Sequence, residues 1–149
     1  MALDLVALRQ AFATTIRAGI NRDVNVYEYE PAVPIVPAVI IRPSTLEDSV
    51  EYINTMRAPA YRVHLEIWML TDTGASSDGQ QLLDQLMSSG TAQMNSVRDA
   101  LDADNTLGGV IASGNLTIES ARHRGMFRWP AESQTMFWVG VIPATVVQL

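Results

Sequence analysis

Imidazole and thiol chemistry are scarce in this chain: its 149 residues include two histidines, His64 and His123, and no cysteine. Acid–base or nucleophilic catalysis needs a titratable group set by a partner, most often histidine beside a carboxylate and a serine or cysteine. His64 falls in an alternating apolar segment, with Arg62 and Glu66 on its expected outward side, and His123 falls in a run of arginines. Both read as surface or hydrogen-bonded histidines, since the sequence supplies neither with a geometric partner. A metal site would have to recruit His64, Glu66 and His123, which lack the compact spacing of a zinc helix or knuckle. Ser76 and Ser88 have no Gly-x-Ser-x-Gly elbow around them and read as loop and helix-end residues. Gly108 and Gly109 fit no phosphate-loop pattern and are expected to supply positive φ angles at a helix-to-strand turn. The expectation is therefore a protein that is not an enzyme, with no catalytic, cofactor-binding or metal-binding residues and no cofactor.

One segment carries a different chemistry. Arg122, His123, Arg124, Gly125, Met126, Phe127, Arg128 and Trp129 bring together the cationic and aromatic residues that protein interfaces favour. The segment is expected at the tip of a hairpin, where two readings stand: an intersubunit contact, or aromatics that fold back on the core. Arg124, Met126, Phe127, Arg128 and Trp129 are the candidate contact residues. Pro31, Pro34 and Pro37 join them as a proline-rich piece, read as a packing edge or as an exchanged contact arm.

Composition narrows the classes. A chain of 149 residues can bury one core, and its charged fraction of 17% is below the average of about 25%. A net charge of −6 argues against a general nucleic-acid binder, although arginines interleaved with aromatics can grip single strands. Residues 1–9 carry Asp4 and lack the basic and apolar regions of a signal peptide, so they read as mature sequence. The longest apolar run, residues 33–41, is broken by Pro34 and Pro37 and falls short of the roughly 20 residues of a membrane span. A soluble protein without a membrane partner is expected.

The elements that must position these residues follow from periodicity. Leu5, Leu8, Phe12 and Ile16 share one helix face, with Gly19 expected as a left-handed stop. Residues 24–29 and 39–42 read as strands, and residues 52–56 as a possible short one. In residues 61–70, Tyr61, Val63, Leu65, Ile67 and Met69 alternate with Arg62, His64 and Glu66, predicting a central, half-buried strand. Asp78 is placed to cap a helix carrying Leu82, Leu83, Leu86 and Met87, and a second helix covers residues 91–103 with Met94, Val97 and Leu101 on one stripe. Residues 116–121 and 135–147 are expected to form a long hairpin around a loop at residues 123–133, the last strand being interrupted by Gly140 and Pro143. Grouped helices and strands predict an α+β fold: one compact domain over residues 1–149, a mostly antiparallel sheet packed with an N-terminal helix and a central helix pair.

This arrangement resembles the small tail terminator and tail-completion proteins of long-tailed bacteriophages, particularly those of actinobacteria. The resemblance rests on the helix ending near Gly19, the Val/Tyr-rich strand running into a proline-rich edge at residues 24–37, the alternating strand at residues 61–70 and the stretch of residues 97–109. Within that stretch, Thr106-Leu107-Gly108-Gly109 after a short acidic helix is the sharpest piece. The resemblance implies a homohexameric ring on the head-proximal end of the tail tube, which ends tube polymerisation and joins the tail to the head connector. The implied partners are copies of itself, the major tail tube protein and a connector or stopper protein, with DNA passing through the lumen without specific binding. The implied location is the virion's tail–neck junction, after assembly in the host cytoplasm. A head-to-tail connector or stopper role is the nearest alternative. A small ligand-binding or hydrolytic domain using His64 and Glu66 is the alternative of another class.

Overall fold

The computed structural model describes residues 4–54, 59–73, 78–90, 96–129 and 135–148. Helix α1, Leu5–Gly19, starts where the Asp4 side chain accepts a hydrogen bond from the Ala7 amide, satisfying one of the free donors of the first turn. It leads into strands β1 (Asn25–Tyr27), β2 (Ala38–Pro43), β3 (Val50–Asn54) and the long β4 (Pro59–Asp72). Helices α2 (Asp78–Met87) and α3 (Val97–Ala103) follow, then β5 (Leu116–Thr117), β6 (Arg122–Arg128) and β7 (Met136–Gln148).

Among the described residues these seven strands form one sheet, in which only the β1–β2 pair is parallel. Strands β4 and β7 form its spine, paired from Tyr61↔Gln148 to Asp72↔Phe137. Strands β2 and β3 lie end to end along the other side of β4, while β5 and β6 lie end to end along the outer side of β7. The domain is thus α+β, as the grouping of its elements predicts.

Alternation sorts β4 as expected on one side: Val63, Leu65, Ile67 and Met69 pack with Leu8, Phe12, Ile16, Leu83, Leu86, Val97 and Leu101 in the main core. The opposite phase is not a solvated face. His64 and Glu66 are 7% and 1% exposed, and Trp68 and Leu70 join Ala38, Ile40, Phe137, Val139 and Val141 in a second cluster that contains no helical residue. The sheet is therefore buried on both sides, by helices on one and by side chains and loops on the other.

Several local expectations change. Residues 122–128, expected largely within a hairpin loop, form strand β6, and residues 116–121 contribute only the two-residue β5. A shift in register between His123 and Gly125, with Gly125 at φ 79°, inserts one residue and hides the period-two pattern. Strand β7 runs without a break through Gly140 and Pro143. Pro143 falls in the gap between β5 and β6, where a missing amide donor is tolerated. A side chain on Gly140 would meet Met87, Leu83 and Met69, so this glycine lets α2 cross close to the sheet.

Gly19 ends α1 for a reason other than left-handed geometry. A Cβ there would lie 2.9 Å from both Cα and Cβ of Ala100, so the glycine is needed where α1 meets α3. Gly19→Ala is expected to destabilise the fold by about 1–3 kcal/mol through overpacking, read as a lower thermal midpoint. Unchanged stability would mean that the two helices separate freely.

The 104–109 turn fulfils its expectation. Gly108 and Gly109 have φ of 71° and 90°, and Leu107, at φ 52°, drives its side chain into the core. Asp104 fastens the turn by accepting from the Thr106 amide and hydroxyl and the Gly108 amide. The Thr106 hydroxyl leads the hydrogen bonds that outweigh desolvation and lower this carboxyl below its ordinary value. Of the other expected elements, the short strand is found at Val50–Asn54 and the second central helix at Val97–Ala103. Residues 55–56, 91–95 and 130–133, including Met94, lie outside the described residues, as does Ser76.

Candidate protein-contact site

On the helix-free side, a groove of about 720 Å³ runs from the proline-rich connection, across β2 and β4, to the end of β6. Its lining includes Pro31, Arg42, Trp68, Arg124, Phe127 and Trp129. The loop between the parallel strands β1 and β2 is held by Asn25, whose side chain donates to the Ile35 carbonyl, and by Tyr27, whose hydroxyl accepts from the Ile35 amide. The Trp129 indole donates to the Pro31 carbonyl at 3.2 Å, joining two segments 98 residues apart.

The aromatic rings form the floor. Trp68 meets Phe127 and Trp129 edge to face, with centroids 5.5 and 6.1 Å apart, geometry that the ring quadrupoles favour. The Arg42 guanidinium lies 4.1 Å from the centroid of Trp68 and 5.2 Å from that of Trp129, while its Nε pairs with Glu30 at 2.6 Å. Arg124 lies over Trp68 and Phe127 at 5.8 and 5.5 Å. Cations over aromatic faces are stabilised there and keep their hydrogen-bonding edges free.

Glu66 anchors this floor from beneath. Its carboxylate accepts from the Trp68 indole at 2.9 Å, the Thr45 amide at 3.0 Å and the Thr45 hydroxyl. Burial acts to raise its pKa, but these three donors and the Arg124 charge outweigh burial and hold the carboxyl below its ordinary value. The residue is thus an ionised structural post, and its oxygens are already occupied.

The candidate contact residues divide. Arg124, Phe127, Arg128, Trp129 and Pro31 come together on the groove. Met126, exposed and paired with Trp138, does not line the groove, and Arg128, in the same phase of β6 and paired with Met136, meets it at the rim. Pro34 is buried, and Pro37 follows a cis peptide at the start of β2. Between Pro31 and Pro37, Val33 and Ile35 are 69% and 66% exposed. Arg42, Thr45, Glu66 and Trp68 complete the site although the sequence did not mark them as contacts. The usable signal was Trp68 and Leu70 in the phase of β4 assigned to solvent, which requires cover on that side too.

His64 is separate from the groove floor and takes the hydrogen-bonded alternative of the two expected for it, buried rather than on the surface. Its Nδ1 lies 2.8 Å from Glu47 and 3.2 Å from the Thr145 hydroxyl, and its Nε2 lies 3.5 Å from Glu51. His123 is exposed, 2.7 Å from Asp84. The two imidazoles thus sit in different settings, and among the described residues no group of three His, Asp or Glu side chains is placed to hold a metal. No described helix is long and apolar enough to cross a membrane.

The fold and groove define a class of architecture: a single α+β domain with helices on one sheet face and an aromatic–arginine surface on the other. No protein-family model matches the chain, and no curated protein matches it significantly in sequence.

Proposed function

We propose that this chain is a virion structural protein that forms a ring at the head-proximal end of a phage tail tube. In that role it ends tube polymerisation and joins the tail to the head connector. The resemblance at residues 24–37, 61–70 and 97–109 motivates the particular role. The observation that supports subunit contact most directly is the exposed apolar pair Val33 and Ile35 beside a groove walled by arginine and tryptophan.

The exposed Val33 and Ile35 and the Arg128 rim are two different patches, as a heterologous contact needs: one patch meets a different patch on the next subunit and the rotation closes a ring. Six copies at −6 each would surround the lumen with an acidic protein, discouraging passing DNA from adhering. A homohexamer, the tube protein and a connector or stopper are the proposed partners, at the tail–neck junction.

Light scattering on the purified protein and imaging of labelled particles test the proposal. Arg128 is exposed and makes no ion pair among the described residues, so Arg128→Glu is expected to weaken assembly while changing stability by no more than about 0.5 kcal/mol. Trp129→Ala is expected to affect assembly more than melting. A wild-type chain that stays monomeric and is missing from particles would refute the ring. Equal losses of assembly and stability in Trp129→Ala would return that residue to a purely structural role.

A further inference from the structure

Two arginines of the groove, Arg124 and Arg128, have no carboxylate paired with them among the described residues. Arg42 is paired with Glu30, and the oxygens of Glu66 are engaged by Trp68 and Thr45. Arg124 lies over aromatic faces and feels the charge of the buried Glu66 carboxylate without pairing to it, and Arg128 stands exposed on the rim; neither is within ion-pair distance of a carboxylate among the described residues. Between them lies an aromatic floor that the protein's own helices do not cover.

We propose that the groove binds an extended acidic segment of another protein chain, seating one apolar side chain on the Trp68, Phe127 and Trp129 floor while flanking carboxylates meet Arg124 and Arg128. Three features of the site select this partner. Its volume of about 720 Å³ matches a segment of a few residues. Guanidinium forks pair carboxylates in a bidentate manner, and aromatic pockets take the anchor residues that dominate such contacts. The cation-rich patch is local, on a chain of net charge −6. A short acidic segment places its charge within the patch, whereas a nucleic-acid backbone would extend beyond it over a chain of net charge −6. The floor is also preorganised: Glu66 fixes Trp68, Glu30 holds Arg42, and Pro31 holds Trp129, so little side-chain order remains to be lost on binding.

This inference deepens the reading that the face meets protein, but it does not need a ring. The test is a titration of the full-length chain with the acetylated, amidated peptide Glu-Asp-Leu-Glu-Asp, followed by tryptophan emission, since Trp68 and Trp129 both line the groove. Saturable binding is expected, weakening as salt rises from about 0.05 to 0.5 M. The neutral analogue Gln-Asn-Leu-Gln-Asn and the double variant Arg124→Gln, Arg128→Gln should each bind about tenfold more weakly or worse. An unchanged melting curve of the double variant separates lost contacts from lost fold.

Equal affinity for the neutral peptide would overturn the proposal. So would oligothymidylate binding through the same arginines without peptide binding, which would assign the groove to single-stranded nucleic acid. Emission that changes with protein concentration alone, and no longer responds to peptide, would assign it to a second copy of this chain. Because the titration reads the isolated chain, failure of ring assembly and failure of peptide binding remain distinct results.

Discussion

Glu66→Ala is expected to lower stability by about 3 kcal/mol, roughly 6–12 °C in thermal midpoint for a chain of this size. The substitution leaves the Trp68 indole N–H and the Thr45 amide without their acceptor and removes a carboxylate facing Arg124. Buried donors that lose an ionised partner retain the full cost of their desolvation, so the loss exceeds the net worth of the bonds. Glu66→Gln should lose less but still be destabilised: one amide oxygen can serve Trp68, while the amide nitrogen then presents donors to the donor at Thr45. Tryptophan emission should shift in both variants as the floor loosens.

Acid should act through the same group. The folded-state pKa of Glu66 lies below its ordinary value of 4.5. Its contribution is therefore fully present above about pH 4.5 and is lost as pH falls through the lower folded value. Denaturation profiles of wild type and Glu66→Gln should converge over that range. A Glu66→Ala variant with wild-type melting and emission would show that packing alone holds Trp68.

Phe12→Ala should be costlier still, about 3–5 kcal/mol, which approaches the whole stability of many domains. Phe12 is fully buried in the cluster that joins α1 to α3 and to the inward phase of β4. Truncation there removes transfer free energy and leaves a cavity that β4, held on both edges, cannot collapse to fill. Urea unfolding should show a lower midpoint at unchanged slope. Leu5, on the same helix but 40% exposed, provides the contrast: Leu5→Ala should change stability by no more than about 0.5 kcal/mol. Similar losses from both substitutions would mean that α1 is not seated through Phe12.

These effects mark how far local pattern reaches. Leu8, Phe12 and Ile16 announced their helix face, and the odd-numbered residues of β4 announced the main core, because helix and strand periods are properties of the chain itself. The Gly108–Gly109 turn was equally legible, since positive φ is a local demand that glycine meets. Misreadings began where a second segment decided the outcome. In the alternation Arg62, His64, Glu66 only Arg62 keeps an exposed side chain; Thr45, Glu47 and Thr145 arrive from other elements to meet the buried His64 and Glu66. Residues 122–128 looked like a loop because a bulged edge strand with its charges exposed has no clean period.

For the candidate site, the sequence determined the chemical types: a run of arginine and aromatic side chains at residues 124–129 and prolines at residues 31–37, in an acidic chain without cysteine. Only the tertiary structure decided that Pro31, Arg42, Trp68 and Trp129 share one groove, that Met126 and Pro34 do not join it, and that Glu66 is a post beneath the floor. The reason is physical. Residue type and period are short-range, while a groove is made by strand order and register, which bring residues 31 and 129 into hydrogen-bonding contact across 98 positions of chain.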